Sequence, residues 1–162
     1  MTTLTSLELG MASGDIPGLM GLAFRSVMDT VHEKLAEQGF GDVRPAHGYV
    51  FQLLSNTHGS TAVEIAAHLG ITKQGATQLL AELEDRGYVR RGPHPTDRRA
   101  RIVTLTERGW ACVAAVVAEW RAIEEGWAAL VGRENLDAMH AGLAAIVGEA
   151  SKKGPIMLRP LW

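Results

Sequence analysis

Six residues at the start of one helical segment carry chemistry suited to a nucleic-acid surface: Thr72, Lys73, Gln74, Gly75, Thr77 and Gln78. A lysine ammonium seeks phosphates or guanine acceptors, and a glutamine amide can bridge N6 and N7 of adenine with two hydrogen bonds. Threonine is short enough to let the backbone approach a phosphate, and the unpaired N–H groups of a helix start attract that anion. Gly75 weakens a helix interior by about 1 kcal/mol relative to alanine. Its presence makes sense where the helix must come close to a surface such as a groove floor. Further along lies a polar tip, His94-Pro95-Thr96-Asp97-Arg98-Arg99-Ala100-Arg101. From Arg86 to Arg101, six arginines stand against Asp97 alone, an asymmetry that suits a polyanion. A guanidinium on a hairpin tip fits a narrow, strongly negative minor groove, so Arg98 or Arg99 is expected to insert. Asp97 would repel phosphate, so its expected role is internal, pairing with a neighbouring arginine to hold the loop's shape.

These groups need elements to aim them. Thr61 and Glu64 form a capping box at the start of a short helix whose expected inner face is Val63, Ile65, Ala66 and Leu69. Gly70 supplies a left-handed turn and Ile71 plugs the corner. Thr72 then caps a second helix with Ala76, Leu79, Leu80 and Leu83 inward, closed by Gly87. Two β-type runs follow, around Val89 and from Ile102 to Leu105. Pro93 and Pro95 make the hairpin exposed or an edge. This order of helix, turn, helix and hairpin predicts a winged helix-turn-helix over residues 45–109. Residues 1–14 are expected to be flexible. Residues 15–44 hold a helix with Asp15 as its cap, and residues 110–162 hold a long helix, a last helix and an apolar tail. Trp110, Trp120, Trp127 and the tail residues Ile156, Met157, Leu158, Leu161 and Trp162 give these flanks more apolar surface than a winged unit can cover. We therefore expect them to be dimerisation elements, since one recognition helix and wing contact too few bases alone. The fold class is mainly α with a small β-hairpin wing.

The segment from Glu64 to Gly109 resembles the MarR family of bacterial transcriptional regulators. The most specific match is Asp97-Arg98-Arg99-Ala100 followed by Val103-Thr104-Leu105-Thr106 and Gly109, and the motif match spans roughly residues 45–110. The resemblance implies a homodimer with interdigitating terminal helices. The order of helix, helix and arginine-bearing wing points to a dimeric regulator of transcription, a repressor or an activator, on a pseudo-palindromic operator in double-stranded DNA. The resemblance also implies release by a small aromatic or amphiphilic effector bound between the dimerisation helices and the DNA-binding lobe; expected lining residues are Phe24, Met28, His32, His47, Phe51 and Trp110. Some members sense oxidants through a cysteine near the N-terminus. Here the only cysteine is Cys112, on the apolar side of a helix, where it reads as a small buried hydrophobe.

Composition narrows the alternatives. The chain has 162 residues and a net charge of −2, so no general basic character drives it to nucleic acid. A single cysteine excludes an internal disulfide and fits a cytoplasmic setting. The N-terminal stretch has no signal-peptide pattern, and no apolar run is long enough for a membrane span. His32, His47, His58, His68, His94 and His140 show no paired metal spacing, so no metal or other cofactor is expected. No nucleophile elbow, phosphate loop or HExxH motif points to an enzyme. The competing class is a winged-helix protein-interaction or ligand-carrier module without DNA binding, favoured by the acidic run Glu82, Glu84 and Asp85 beside the second helix.

Overall fold

The computed structural model describes residues 15–94, 96, 100–154 and 156. The elements run α1 (Ile16–Glu37), α2 (Pro45–Thr57), β1 (Ser60–Thr61), α3 (Ala62–Leu69), α4 (Lys73–Asp85), β2 (Val89–Pro93), β3 (Arg101–Leu105), α5 (Glu107–Val131) and α6 (Arg133–Ser151). The expectation for residues 1–14 lies outside the described residues, as do those for Met157, Leu158, Leu161 and Trp162.

The capping signals read from sequence at Thr61 and Thr72 fix two helix starts, and Thr106 fixes a third. Thr61 accepts from the Glu64 N–H while Glu64 Oε2 accepts from the Thr61 N–H at 2.7 Å. Thr72 accepts from the Gly75 N–H at 3.1 Å, and Thr106 does the same for Gly109. Gly70 ends α3 in the left-handed region, φ 62°. Asp15 departs from expectation: it stands at the start of α1 without a side-chain cap bond, its backbone already helical rather than extended. Val63 also departs, at 57% exposed, because the buried stripe of α3 is Ile65, Ala66 and Leu69 and Val63 falls off it.

The sheet has three antiparallel strands in the order β1-β3-β2, one more than the expected hairpin. Ser60 pairs with Val103 and Thr61 with Ile102, so the chain entering α3 rides on the wing's return strand. β2 is an edge strand, as its Pro93 requires. The core gathers Val50, Leu54, Ile65, Leu69, Leu80, Leu83, Tyr88 and Val103 beneath the sheet, and Leu35 and Cys112 extend it to α1 and α5. Burial pushes the Cys112 thiol up to about 11, which leaves it an inert hydrophobe.

The crossing from wing to α5 is tight. Thr106 Oγ1 donates to the Gly87 carbonyl at 2.6 Å, and its N–H donates to the Tyr88 carbonyl. A Cβ on Gly109 would run into that Tyr88 carbonyl oxygen and stand 3.0 Å from Leu105 Cδ2. Backbone cannot retreat as a side-chain tip can, so Gly109→Ala is expected to destabilise the fold by about 1–3 kcal/mol or more. A urea titration monitored by circular dichroism would measure it; an unchanged midpoint would contradict the packing.

Candidate nucleic-acid interface

Five of the six residues expected on the recognition helix, Thr72, Lys73, Gln74, Thr77 and Gln78, are exposed together over the cap and first turns of α4. Gly75 is half-buried. A Cβ there would sit 3.3 Å from Thr72 Oγ1, so the glycine also relieves the helix's own cap. Behind this face, Ala76, Leu80 and Leu83 are buried and fix its roll.

The wing is tied to the same helix by Arg91. Its N–H donates to Glu84 Oε1 at 3.1 Å, its Nε pairs with Glu84 Oε2 at 3.4 Å, and its Nη2 donates to the Thr77 carbonyl at 3.3 Å. Sequence reading placed Arg91 in a β-type run and in the local charge count but gave it no connecting role, because nothing in spacing shows that an arginine in a strand turns back to a helix. Arg90 instead donates to Thr104 Oγ1 across the hairpin at 3.3 Å. Asp97, Arg98 and Arg99 lie outside the described residues; at the base of the tip, the His94 N–H donates to the Ala100 carbonyl at 3.3 Å.

The acidic run beside α4 is engaged inside the lobe. Glu82 accepts from Arg44 at the head of α2, and pairs with Arg86 Nη2 at 2.6 Å. Glu84 holds Arg91, as above. Next to Glu82 is His47, fully buried. Its Nδ1 accepts from the Arg44 N–H at 3.1 Å, which leaves the proton on Nε2, 3.9 Å from Glu82 Oε1. Burial, then the nearby Arg44 and Arg86 charges, lower the imidazole from its ordinary 6.5 to about 4.

A second cluster joins the lobe to the flanking helices. The Tyr88 hydroxyl donates to Asp42 Oδ1 at 2.5 Å and accepts from Arg108 Nη2 at 3.0 Å. The guanidinium of Arg108 lies 4.7 Å from the Tyr88 ring centre and 5.5 Å from that of Phe40, and also donates to the Gly39 carbonyl. Burial and the bond to Asp42 push the Tyr88 phenol up to about 12. Burial acts to raise the Asp42 carboxyl, but the Tyr88 hydroxyl, its own backbone and the Arg108 and Arg86 charges outweigh it and hold it below the usual range.

Between α1, α2 and α5 lies a cavity of about 340 Å³. Of the six expected lining residues, Phe24, Met28, His32 and Phe51 border it, joined by Tyr49, Gln52, Val116 and Trp120. His47 and Trp110 do not: His47 faces Glu82 on the far side of α2, and Trp110 is 42% exposed at the start of α5. The family resemblance pointed to a pocket here, but sequence alone could not tell which side of α2 opens into it. Among the described residues no group of three or more His, Cys, Asp or Glu side chains could hold a metal ion, and no helix is long and apolar enough to cross a membrane.

Comparison with known proteins gives one consistent answer. The MarR family model matches residues 42–100. The transcriptional regulator HosA of Escherichia coli O111:H- is 32% identical over 76 residues, 47% of this chain and 56% of HosA. The chain thus matches about half the length of its curated relatives. The transcriptional repressor CouR, solved bound to a 23-mer DNA duplex, is 32% identical, with 85% of this chain and 98% of that one covered at a TM-score of 0.58. The fold is also that of RV1404 from Mycobacterium tuberculosis, at 21% identity, 85% and 94% coverage and a TM-score of 0.73.

The buried imidazole makes stability depend on pH. In the unfolded chain it takes up its proton near 6.5, but in the folded protein only near 4. Between those values the unfolded state holds the extra proton. The contribution is therefore complete above pH 6.5 and is lost as pH falls toward 4, on the order of 3 kcal/mol. Urea midpoints at pH 7 and pH 4.5 should converge in His47→Gln relative to the unsubstituted chain; an equal fall in both would show that His47 carries none of it.

Proposed function

Because this chain belongs to the MarR family of winged-helix transcriptional regulators, a family of regulators rather than enzymes, we propose that it binds double-stranded DNA as a homodimer and represses transcription from a pseudo-palindromic operator. The observation that carries this reading is the exposed polar face of α4 beside an arginine-bearing hairpin, locked together by Arg91. In this reading residues 45–109 are the DNA-binding lobe. Thr72, Lys73, Gln74, Gly75, Thr77 and Gln78 approach the major groove, Arg98 or Arg99 enters the minor groove, and Asp97 shapes the tip. CouR, a repressor solved on DNA, supports the partner and the sign of regulation. Acting on chromosomal DNA, the protein would work in the cytoplasm.

Residues 15–44 and 110–162 serve as dimerisation helices. In a single chain α6 has no buried residue, and Met139, Leu143, Ile146 and Val147 stand exposed along it. Such a stripe is expected to meet a second copy, with the twofold axis setting the half-site spacing. The cavity between α1, α2 and α5 is the proposed effector site; it lies where the long helices meet the lobe and can change the separation of two recognition helices. The alternative, a winged module without DNA, drew on Glu82, Glu84 and Asp85. With Glu82 and Glu84 bound to arginines of the same chain, it loses most of its support.

Fluorescence anisotropy with the duplex upstream of the protein's own gene tests the proposal. Affinity should fall steeply with salt, with a slope of about −0.9 per phosphate neutralised. Lys73→Ala should weaken binding and flatten the slope by about one phosphate, and joint replacement of Arg98 and Arg99 by Ala should abolish specific binding. Absence of binding at low salt would count against DNA as the partner; unchanged affinity in the double arginine variant would reject the wing's role alone.

A further inference from the structure

Arg44 occupies two environments at once. It stands at the head of α2 among the residues bordering the cavity, while its guanidinium is held by Glu82 of α4. Among the described residues that line the cavity there is no aspartate or glutamate, and Arg44 is the one permanent cation. The rest of the wall is aromatic and aliphatic, with His32, Tyr49, Gln52 and Ser55 as its other polar members. A ligand suited to this wall has an apolar body, and a single anionic head would find one strong partner. Glu82 would not be stranded if Arg44 turned away, because Arg86 Nη2 remains at 2.6 Å. The Arg44 side chain is 61% exposed, so its bond to Glu82 is screened and easily exchanged.

We propose that Arg44 couples the cavity to the recognition helix: the anionic head of an amphiphilic ligand takes the guanidinium from Glu82 and so loosens a polar tie between α2 and the C-terminal half of α4. The other tie in this region runs from Arg86 to the Asp42 carbonyl, and it stays in place. Loosening is therefore partial, a change in how α4 is held rather than a loss of the fold. The exchange is selective for charge. An uncharged ligand of the same shape can fill the cavity and leave Arg44 on Glu82, and a cationic one meets no carboxylate on the wall. This proposal rests on reading the cavity as the effector site.

The test uses two probes with one aromatic skeleton, anilinonaphthalene sulfonate and its uncharged counterpart N-phenyl-1-naphthylamine. Gly48→Phe serves as the blocked control. Gly48 borders the cavity and a Cβ there meets nothing within 4 Å, so the backbone accepts a side chain whose ring would occupy the space. Only fluorescence lost in that variant is counted as cavity binding. Arg44→Met should weaken the sulfonate by about tenfold and leave the naphthylamine unchanged. Glu82→Gln, nearly isosteric, should tighten the sulfonate, because its rival for Arg44 has lost its charge. Amide hydrogen exchange across residues 82–86 should rise with the sulfonate in the unsubstituted protein but not with the naphthylamine, nor with either probe in Arg44→Met. If both probes bind the cavity and neither substitution shifts the sulfonate, the Arg44 exchange is wrong while the cavity remains a ligand site. If neither probe gives a signal sensitive to Gly48→Phe, the effector-site reading fails and takes the exchange with it.

Discussion

The contact between the Tyr88 carbonyl and the flank of Gly109 governs how this protein is put together. A side chain at Gly109 would push α5 off the end of the wing. Its absence lets Thr106 reach the Gly87 carbonyl and brings Arg108 over the Tyr88 ring. From there the guanidinium meets the Tyr88 hydroxyl, the Gly39 carbonyl and Asp42, so three chain segments distant in sequence share one joint. Each bond in it is modest once solvent competition is counted. Together with the buried rings of Phe51 and Tyr88, 5.5 Å apart, they set the angle between the wing and the long helix. That angle determines how the exposed polar face of α4 is presented, because α4 is fastened to the wing and α5 to the scaffold.

Electrostatics resolve the tension between a slightly acidic chain and a polyanionic partner. The net charge of −2 says little about the face that would meet DNA, because Glu82 and Glu84 near it are paired. Glu84 faces Arg91 and Glu82 faces Arg44 and Arg86. These exposed or half-exposed pairs add little stability individually. Their effect is geometric: they orient arginines toward the lobe and hold carboxylates away from the exposed start of α4. What remains on that face is Lys73 with uncharged hydrogen-bonding groups, and the fixed dipole of the helix start adds to the positive potential there.

Much of this was legible in the sequence, and the reasons differ by feature. The starts of α3 and α4 were legible because Thr61 and Thr72 are each followed at the third position by the residue whose N–H they receive, a local relation that spacing encodes. The hairpin was legible from Pro93 and the β-branched return strand. β1 was not, since two residues pair with β3 only because the chain happens to pass there, and Ser60 and Thr61 carry no strand signature of their own. Val63 was misplaced because a short helix leaves the phase of its stripe poorly determined. At the cavity, Phe24, Met28, His32 and Phe51 were named through the family resemblance and border it, whereas His47 and Trp110, named with them, do not. His47 lies one residue off the cavity-facing sequence Pro45, Gly48, Tyr49 and Gln52, and a single position rotates a side chain by about 100°. Arg91, Arg44 and Arg108 were invisible as connectors, because an arginine's partner across the fold leaves no trace in its neighbours.

The seam formed by α2 separates two kinds of interior. One side faces the cavity and is aromatic and aliphatic. The other carries His47 against Glu82, where three potential cations, Arg44, Arg86 and the imidazole, surround one carboxylate. Burial disfavours a charge on the imidazole and the Arg44 and Arg86 charges beside it add to that, so the imidazole, the only one of the three that can shed its proton near neutrality, stays neutral. Its neutrality lets it fill the space as an uncharged wedge and accept the Arg44 N–H, fixing the head of α2. The two guanidiniums then share Glu82 on unequal terms: Arg86 belongs to the same helix one turn away, whereas Arg44 crosses from another element. A bond within one helix is kept whenever that helix stays formed, but a bond between elements holds only while nothing else claims either partner. The cavity is placed where a competing anion could make that claim, which makes Arg44 the more replaceable of the two.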